Sequence, residues 1–493
     1  MERPTPSQIK KQRVAHRGAP FHEDASSGRS WRPLYGAIAF LLIFSFTVQA
    51  QSNQTQLPAA PPPAQPLAPG QSGVAGLPDQ PMRAAKEAQE AASNPNGFSW
   101  EDVKLRFEAQ NPTLKADTLN VEEMRALEIT AFLRPNPQLT LSTDGTQIAP
   151  HSGVWQPTRG TLGVPNLSYL HERDGKRELR RETAQQGTQI ATSQHADLER
   201  NLLYNLRSQF VLTLQAKAVL ALTREELTYY DHLIEISKLR FQKGDIADID
   251  FQRIDLQRAQ YESQLETAIV NLRQAKILLL QLLNDKTPLE QFDIQGDFDY
   301  SDKLAPVEDF QQIALATRPD LQAMYKSVRQ AFTNHRLAIA NGSTDPTFTA
   351  QYTYNGSFNT TANQFLGFSV SIPLRIFDRN QGEKARTLLD ITKNQRVEDA
   401  VNAQVFSDVD SAYVQVESTV NLLRPYKAKY LDQATKIRDT VTYSYQRGGA
   451  SLLDLLNAQS DFRSTELAYL QLIGTYLTAA GQLNLSVGRE ELQ

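Results

Sequence analysis

Two aspartates sit at matched places in this chain. Asp250 and Asp454 each lie six residues beyond a glycine, in runs that read Phe241-Gln242-Lys243-Gly244 and Tyr445-Gln446-Arg447-Gly448. Asn457 follows Asp454 at helical spacing. A carboxylate repeated at one level of a symmetric assembly becomes a ring of negative potential that draws in cations; in isolation it is a solvated helix face. The glycines Gly244, Gly448 and Gly449 fall where a helix must reverse, because glycine reaches positive φ at little cost. Lys243 and Arg447, just before them, suit a helix C-terminus or a docking partner. Catalysis finds little footing. The seven histidines, at 16, 22, 151, 171, 195, 232 and 335, are scattered and form no His-x-x-x-His or His-Glu-x-x-His pattern. Gly448-Gly449 lacks the Lys-Ser/Thr of a phosphate loop, and Glu225-Glu226 reads as solvated helix surface. With 0 cysteines there is no thiol nucleophile, thiolate site, disulfide framework or acylated N-terminal cysteine. The chain therefore reads as no enzyme, with no cofactor and no metal site.

The elements that place these residues occur twice. Trp100-Glu101-Asp102-Val103 with Asn111-Pro112-Thr113-Leu114 recurs as Val307-Glu308-Asp309-Phe310 with Arg318-Pro319-Asp320-Leu321. Val164-Pro165 and Gly175 recur as Ile372-Pro373 and Gly382. Such an internal repeat fixes the architecture first. Repeat one spans 98–290, a linker 291–305, repeat two 306–488 and a tail 489–493. Each repeat is expected to open with a helix (about 99–132 and 306–340). Two short strands follow, then a very long helix (176–243 and 383–447), a glycine turn and a return helix. Pro425 should kink or interrupt its helix. The return helices carry stripes at coiled-coil spacing, Leu265, Ile269 and Leu272, then Leu470, Ile473, Leu477 and Ala480.

The strands alternate strictly. Phe348, Ala350, Tyr352 and Tyr354 alternate with threonines and Gln351, and Leu366, Phe368, Val370, Ile372 and Leu374 alternate with Gly367, Ser369 and Ser371. Period two puts the apolar side chains on one face. Leu139 and Leu141, then Leu162 and Val164, give a weaker version in repeat one, and Pro165 and Pro373 are expected to end the second strand of each pair. A small polar face opposite an apolar one suits a water-filled lumen with lipid outside, with Phe348, Tyr352, Tyr354, Phe368, Val370 and Ile372 toward the lipid. The competing reading is an ordinary sheet on a soluble core.

Residues 1–50 read as an export signal. Lys10, Lys11, Arg13, Arg17, Arg29 and Arg32 precede an apolar run from Leu34 to Val48, and Val48-Gln49-Ala50 is a small-residue cleavage site; an inner-membrane anchor is the alternative. Residues 51–97 form a Pro-rich tail expected to be disordered. A net charge of −4 over 493 residues gives no reason to expect nucleic-acid binding.

At this point the chain resembles the TolC-like outer-membrane efflux ducts, over 98–488 and including the duplication. Ser371-Ile372-Pro373-Leu374-Arg375-Ile376-Phe377-Asp378-Arg379-Asn380-Gln381-Gly382 looks like the strand-to-helix passage of the heavy-metal (cobalt-zinc-cadmium type) branch. Tyr445-Gln446-Arg447-Gly448 with Leu453-Asp454-Leu455-Leu456-Asn457-Ala458-Gln459 looks like the family's periplasmic tip. The resemblance implies a mainly α fold with a membrane β-barrel. Long antiparallel coiled-coil helices would form an α-barrel, and four strands per protomer would enter the 12-stranded barrel of a homotrimer. It implies partners as well: a periplasmic adaptor met by the tips at Gly244, Gly448, Gly449, Lys243 and Arg447, an inner-membrane RND-type pump, and outer-membrane lipid. The implied function is passive conduction of heavy-metal cations or drugs, with Asp454 at the aperture. A further carboxylate is common in the family where Asn457 stands here, so the ring would be weaker. Type I secretion, multidrug export and a non-channel periplasmic coiled-coil scaffold are the alternatives.

Overall fold

The computed structural model describes residues 97–150, 152–157, 161–355 and 364–492, apart from the side chain of Asn355. The expected export signal, its cleavage site and the Pro-rich stretch over 51–96 lie outside these residues. Repeat one contributes α1 (Trp100–Gln110), α2 (Pro112–Phe132), β1 (Gln138–Asp144), β2 (Leu162–Leu170), α3 (Lys176–Lys243) and α4 (Asp248–Leu283). Repeat two contributes α5 (Val307–Thr317), α6 (Pro319–Ala340), β3 (Thr347–Asn355), β4 (Gln364–Ser371), α7 (Gln381–Pro425), a π-helical turn (Tyr426–Tyr430), α8 (Leu431–Gln446) and α9 (Leu452–Val487).

Each opening helix is broken where one continuous helix was expected. Pro112 and Pro319 hold the preceding Asn111 and Arg318 in extended backbone, which ends α1 and α5 and caps the next helix. The two repeats stabilise this break differently. Asn111 accepts from the Leu114 N–H and donates to the Leu282 carbonyl. Arg318 is 5 % exposed and bonds Asp320, Asp408 and the Ser486 carbonyl.

The 68 residues of α3 run unbroken, a contour of roughly 100 Å at ~1.5 Å per residue. Its counterpart is interrupted at Pro425. That residue has no N–H and its ring crowds the carbonyl one turn back, and the wider π turn at 426–430 absorbs the mismatch before α8 continues. Along α4 the buried seam is Ile254, Tyr261 and Ala268, one heptad apart; the expected Leu265, Ile269 and Leu272 lie beside it, half-buried. On α9 the expected Leu470, Ile473, Leu477 and Ala480 are all buried.

The main core gathers Val103 and Phe107 of α1, Phe210 and Leu214 of α3, Leu279 and Leu283 of α4, Val409 and Val416 of α7, and Ile473 and Tyr476 of α9. The segment joining the repeats enters it through Phe292, Ile294 and Phe298, and Ile294 bridges to Phe98.

The strands form one antiparallel sheet in the order β1-β2-β3-β4. Its register pairs Leu139 with Leu167, Leu167 with Ala350, and Ala350 with Phe368. Tyr169 pairs with Phe348, and Phe348 with Val370. The apolar rows of all four strands thus share one face. Leu162 and Val164 do not belong to it: they pair with Asp144 and Ser142, on the polar side, and the apolar row of β2 is Leu167 and Tyr169. Pro165 lies inside β2 rather than at its end. The ladder from β2 to β3 lapses at Val164 and Pro165, where the proline has no N–H to give, and resumes at Asn166. β4 ends at Ser371, so Ile372 and Leu374 lie just beyond it.

Candidate functional site

Two regions could do work: the helical hairpin tips and the bare sheet face. Each long helix ends in a left-handed glycine, Gly244 at φ 81° and Gly448 at φ 76°. The Asp245 N–H donates to the Arg240 carbonyl at 2.9 Å, and the Gly449 N–H to the Ser444 carbonyl at 2.8 Å. This is the same six-to-one closure in both repeats. A Cβ at either left-handed glycine would meet only open space, so backbone conformation is what calls for glycine there. Lys243 is exposed, and Arg447 lies over the Tyr443 ring at 4.1 Å.

The two tips pack on each other. Tyr230 and Leu233 of α3, Ile254 and Tyr261 of α4, Tyr445 of α8, and Leu452 and Leu455 of α9 form a second, separate core. Arg240 of the first tip reaches the Tyr445 ring of the second, 5.5 Å from its centroid. Its role was not evident from sequence, because only folding brings the two turns together.

The two aspartates differ in setting. Asp454 caps α9 with Ser451: the Asp454 N–H donates to Ser451 Oγ at 3.2 Å, and the Ser451 N–H donates to Asp454 Oδ2 at 3.0 Å. The hydroxyl and amide of Ser451 hold its carboxyl below the ordinary carboxylate range, so Asp454 is charged at neutral pH. It is exposed, as is Asn457 one turn on. Asp250 is half-buried, 3.9 Å from Arg253, and adds to the burial that chiefly raises the Tyr445 hydroxyl. The equivalent position in repeat one thus faces protein rather than open solvent.

Glu226 corrects the reading of Glu225-Glu226 as solvated surface. Glu226 is 3 % exposed, on the same stripe of α3 as Thr223, Tyr230 and Leu233, and it faces α9. Arg463 Nε donates to its Oε2 at 2.6 Å, and the same guanidinium lies 4.9 Å from the centroid of Tyr261. Burial pushes the Glu226 carboxyl up to about 7, against the pull of Arg463. A glutamate on a helix stripe that is otherwise Thr, Tyr and Leu was the signal that could have found it.

On the sheet, Leu139, Leu141, Leu167, Phe348, Tyr352, Tyr354, Leu366, Phe368 and Val370 are all exposed, and so is Ile372 beyond the strand. A contiguous apolar face of this breadth marks a surface that another phase or another chain covers. Among the described residues no helix is long and apolar enough to cross a membrane.

Paired long helices, glycine-closed tips and a four-stranded sheet make up the architecture of solved outer-membrane channels. Residues 311–489 match the outer membrane efflux protein family. The chain is 23 % identical, over 359 residues, to the cobalt-zinc-cadmium resistance protein CzcC of Cupriavidus metallidurans, covering 72 % of this chain and 81 % of that one. Its fold is that of solved channels. A structure of CusC aligns with TM-score 0.65 at 19 % identity, over 88 % of this chain and 99 % of that one. The Campylobacter jejuni CmeC outer membrane channel aligns with TM-score 0.66 at 14 % identity, over 88 % and 96 %. In this fold the helices build an α-barrel and each protomer lends its strands to a β-barrel.

Proposed function

We propose that the protein is one subunit of a homotrimeric duct that passively carries heavy-metal cations from an inner-membrane pump and periplasmic adaptor to the cell exterior. The observation that carries this is the sheet. Its four strands leave β1 and β4 with unpaired edges, and its apolar face is bare. Hydrocarbon admits no open edge, so copies must close the sheet into a barrel. The polar face, with Thr140, Ser142, Asn166, Thr349 and Gln351, then lines the lumen, and Phe348, Tyr352, Tyr354, Phe368 and Val370 meet lipid. The unbroken α3 supplies the reach into the periplasm.

The tips at Gly244, Gly448 and Gly449, with Lys243 and Arg447, meet the adaptor. Asp454 stands at the aperture, with Asn457 a turn further on and Asp250 outside the ring. The heavy-metal cargo draws support from the likeness to CzcC and from the passage 371–382. The test is conductance of the purified, reconstituted protein across a planar bilayer. Asp454→Ala should lower cation selectivity, whereas Ser451→Ala, which breaks the same cap but keeps the charge, should not. Equal selectivity in Asp454→Ala and the parent rejects the ring; no conductance from any form rejects the duct.

A further inference from the structure

The run that joins β4 to α7 has work of its own. Residues 373–380 are tied down by hydrogen bonds of their polar members, with Asp378 and Arg379 left exposed. The Asn380 N–H donates to Asp378 Oδ1 at 2.8 Å, Asn380 Nδ2 to the Ala338 carbonyl at 2.7 Å, and Gln381 Nε2 to the Phe377 carbonyl at 3.1 Å. Asn380 is fixed in the left-handed region at φ 61°. The apolar members stand outward instead: Leu374 is 81 % exposed, Ile376 62 % and Phe377 90 %. A loop this well tied that still presents three large apolar side chains is shaped to be covered.

We propose that this passage is a headgroup anchor, in which Leu374, Ile376 and Phe377 enter the periplasmic leaflet of the outer membrane and Arg375 and Arg379 take the phosphates of anionic phospholipid. The proposal rests on the reading of the sheet's apolar face as lipid-facing. Continuity argues for lipid as the occupant. Ile372 follows the even-numbered row of Phe368 and Val370 just beyond the last rung of β4, and Leu374 and Ile376 come next in a turn closed by the Ile376 N–H on the Leu374 carbonyl at 3.0 Å. At the border of a membrane barrel, apolar and aromatic side chains beside basic ones match the boundary between hydrocarbon and phosphate.

Charge argues the same way. Among the described residues neither Arg375 nor Arg379 has a carboxylate at ion-pair distance. Arg375 Nε is buried without a hydrogen-bond partner, which leaves the outer guanidinium nitrogens of Arg375 for a ligand, and Arg379 Nε reaches the Arg375 carbonyl at 3.3 Å. Asp378 accepts from the Asn380 N–H, and Asp345, bonded to Lys176 and the Arg173 N–H, also feels the Arg375 charge without pairing with it. Fork-shaped guanidinium donors suit phosphate oxygens. At the α2–β1 junction Arg177 and Arg181 lie over the Phe132 ring at 4.4 and 4.5 Å with Leu133 exposed beside it, although Arg177 there also pairs with Glu178 at 2.8 Å. The run resembling the heavy-metal branch thus seats the duct in its membrane.

The test uses the full chain, purified in detergent and reconstituted into vesicles of phosphatidylethanolamine and phosphatidylglycerol, with or without bromine near the acyl carbonyls. Phe377→Trp should gain a blue-shifted emission component absent from the parent, which brominated lipid quenches. Val370→Trp on the sheet face serves as the control. Quenching of Val370→Trp but not of Phe377→Trp overturns the anchor and leaves the duct intact; quenching of neither overturns both. A blue shift at Phe377→Trp without bromine quenching shows a second copy covering the loop, and also overturns the anchor. In the second arm, phosphatidylglycerol retained per chain through purification should fall several-fold in Arg375→Gln/Arg379→Gln, and retention equal to the parent overturns the phosphate role.

Discussion

Glu226→Gln isolates a buried carboxylate that joins the two tip hairpins. Folded Glu226 keeps its proton up to about pH 7, while the ordinary carboxyl releases it near 4.5. Between those values the folded tip binds more protons than the unfolded chain, so its stability falls as pH rises. A gap of about 2.5 units at ~1.36 kcal/mol each gives roughly 3 kcal/mol, lost progressively from pH 4.5 to 7 and fully absent above. Arg463 opposes but does not cancel this, because loss of water around the buried carboxyl is the larger effect. The assay is amide hydrogen exchange of the reconstituted full chain at pH 5 and pH 8, corrected for intrinsic rates and read over 223–262 and 441–466. The parent should lose protection by about a hundredfold in local opening equilibrium at the higher pH. Glu226→Gln should show little change, since it cannot ionise. Every other ionisable group is the same in both forms, so the difference between them belongs to Glu226. Equal pH dependence in parent and variant would refute the reasoning.

Two further outcomes follow from the same geometry. Gly448→Arg forces a side chain into a left-handed position at a cost of about 1–2 kcal/mol, in open space and at a tip far in sequence from any strand. The protein should still reach the outer membrane and assemble, but in-cell cross-linking to its adaptor should disappear, and undiminished cross-linking removes Gly448 from the contact. Arg318→Met leaves Asp320 and Asp408 without their shared cation at a site where Arg318 is almost fully enclosed, and should cost about 3–5 kcal/mol. Thermal unfolding in detergent, followed by circular dichroism, should drop by several degrees; an unchanged midpoint would mean that the ion pair adds nothing net.

Much of this molecule was legible one residue at a time. The glycine at each hairpin tip, the interrupting Pro425 and the period-two rows of β3 and β4 are local matters, set by backbone sterics and alternation, and a reader of the chain meets them directly. The duplication extended that reading, because a weak strand in repeat one could be judged against a clear one in repeat two. It also misled. Val164-Pro165 was aligned with Ile372-Pro373 as a strand end, yet Pro165 sits within β2, and pairing with β1 and β3 turns Leu162 and Val164 to the polar side. Register belongs to neighbouring strands, and a shift of one residue inverts every face. The break at Asn111 and Arg318 was local too, but the restriction that each proline places on its predecessor was outweighed in the reading by the helical pattern around it.

What only the tertiary structure decided is which surfaces meet. Glu226 was indistinguishable from its neighbour Glu225 until α9 came to lie against one side of α3, and Arg240 became a link between tips only when the second hairpin placed Tyr445 beneath it. The chain alone determined where it turns, how far its helices run and which strand faces are apolar, because those follow from dihedral preference and periodicity. Which charged groups lose their water depends on contacts between segments more than two hundred residues apart, as Glu226 and Arg463 are, and no local pattern encodes such a contact.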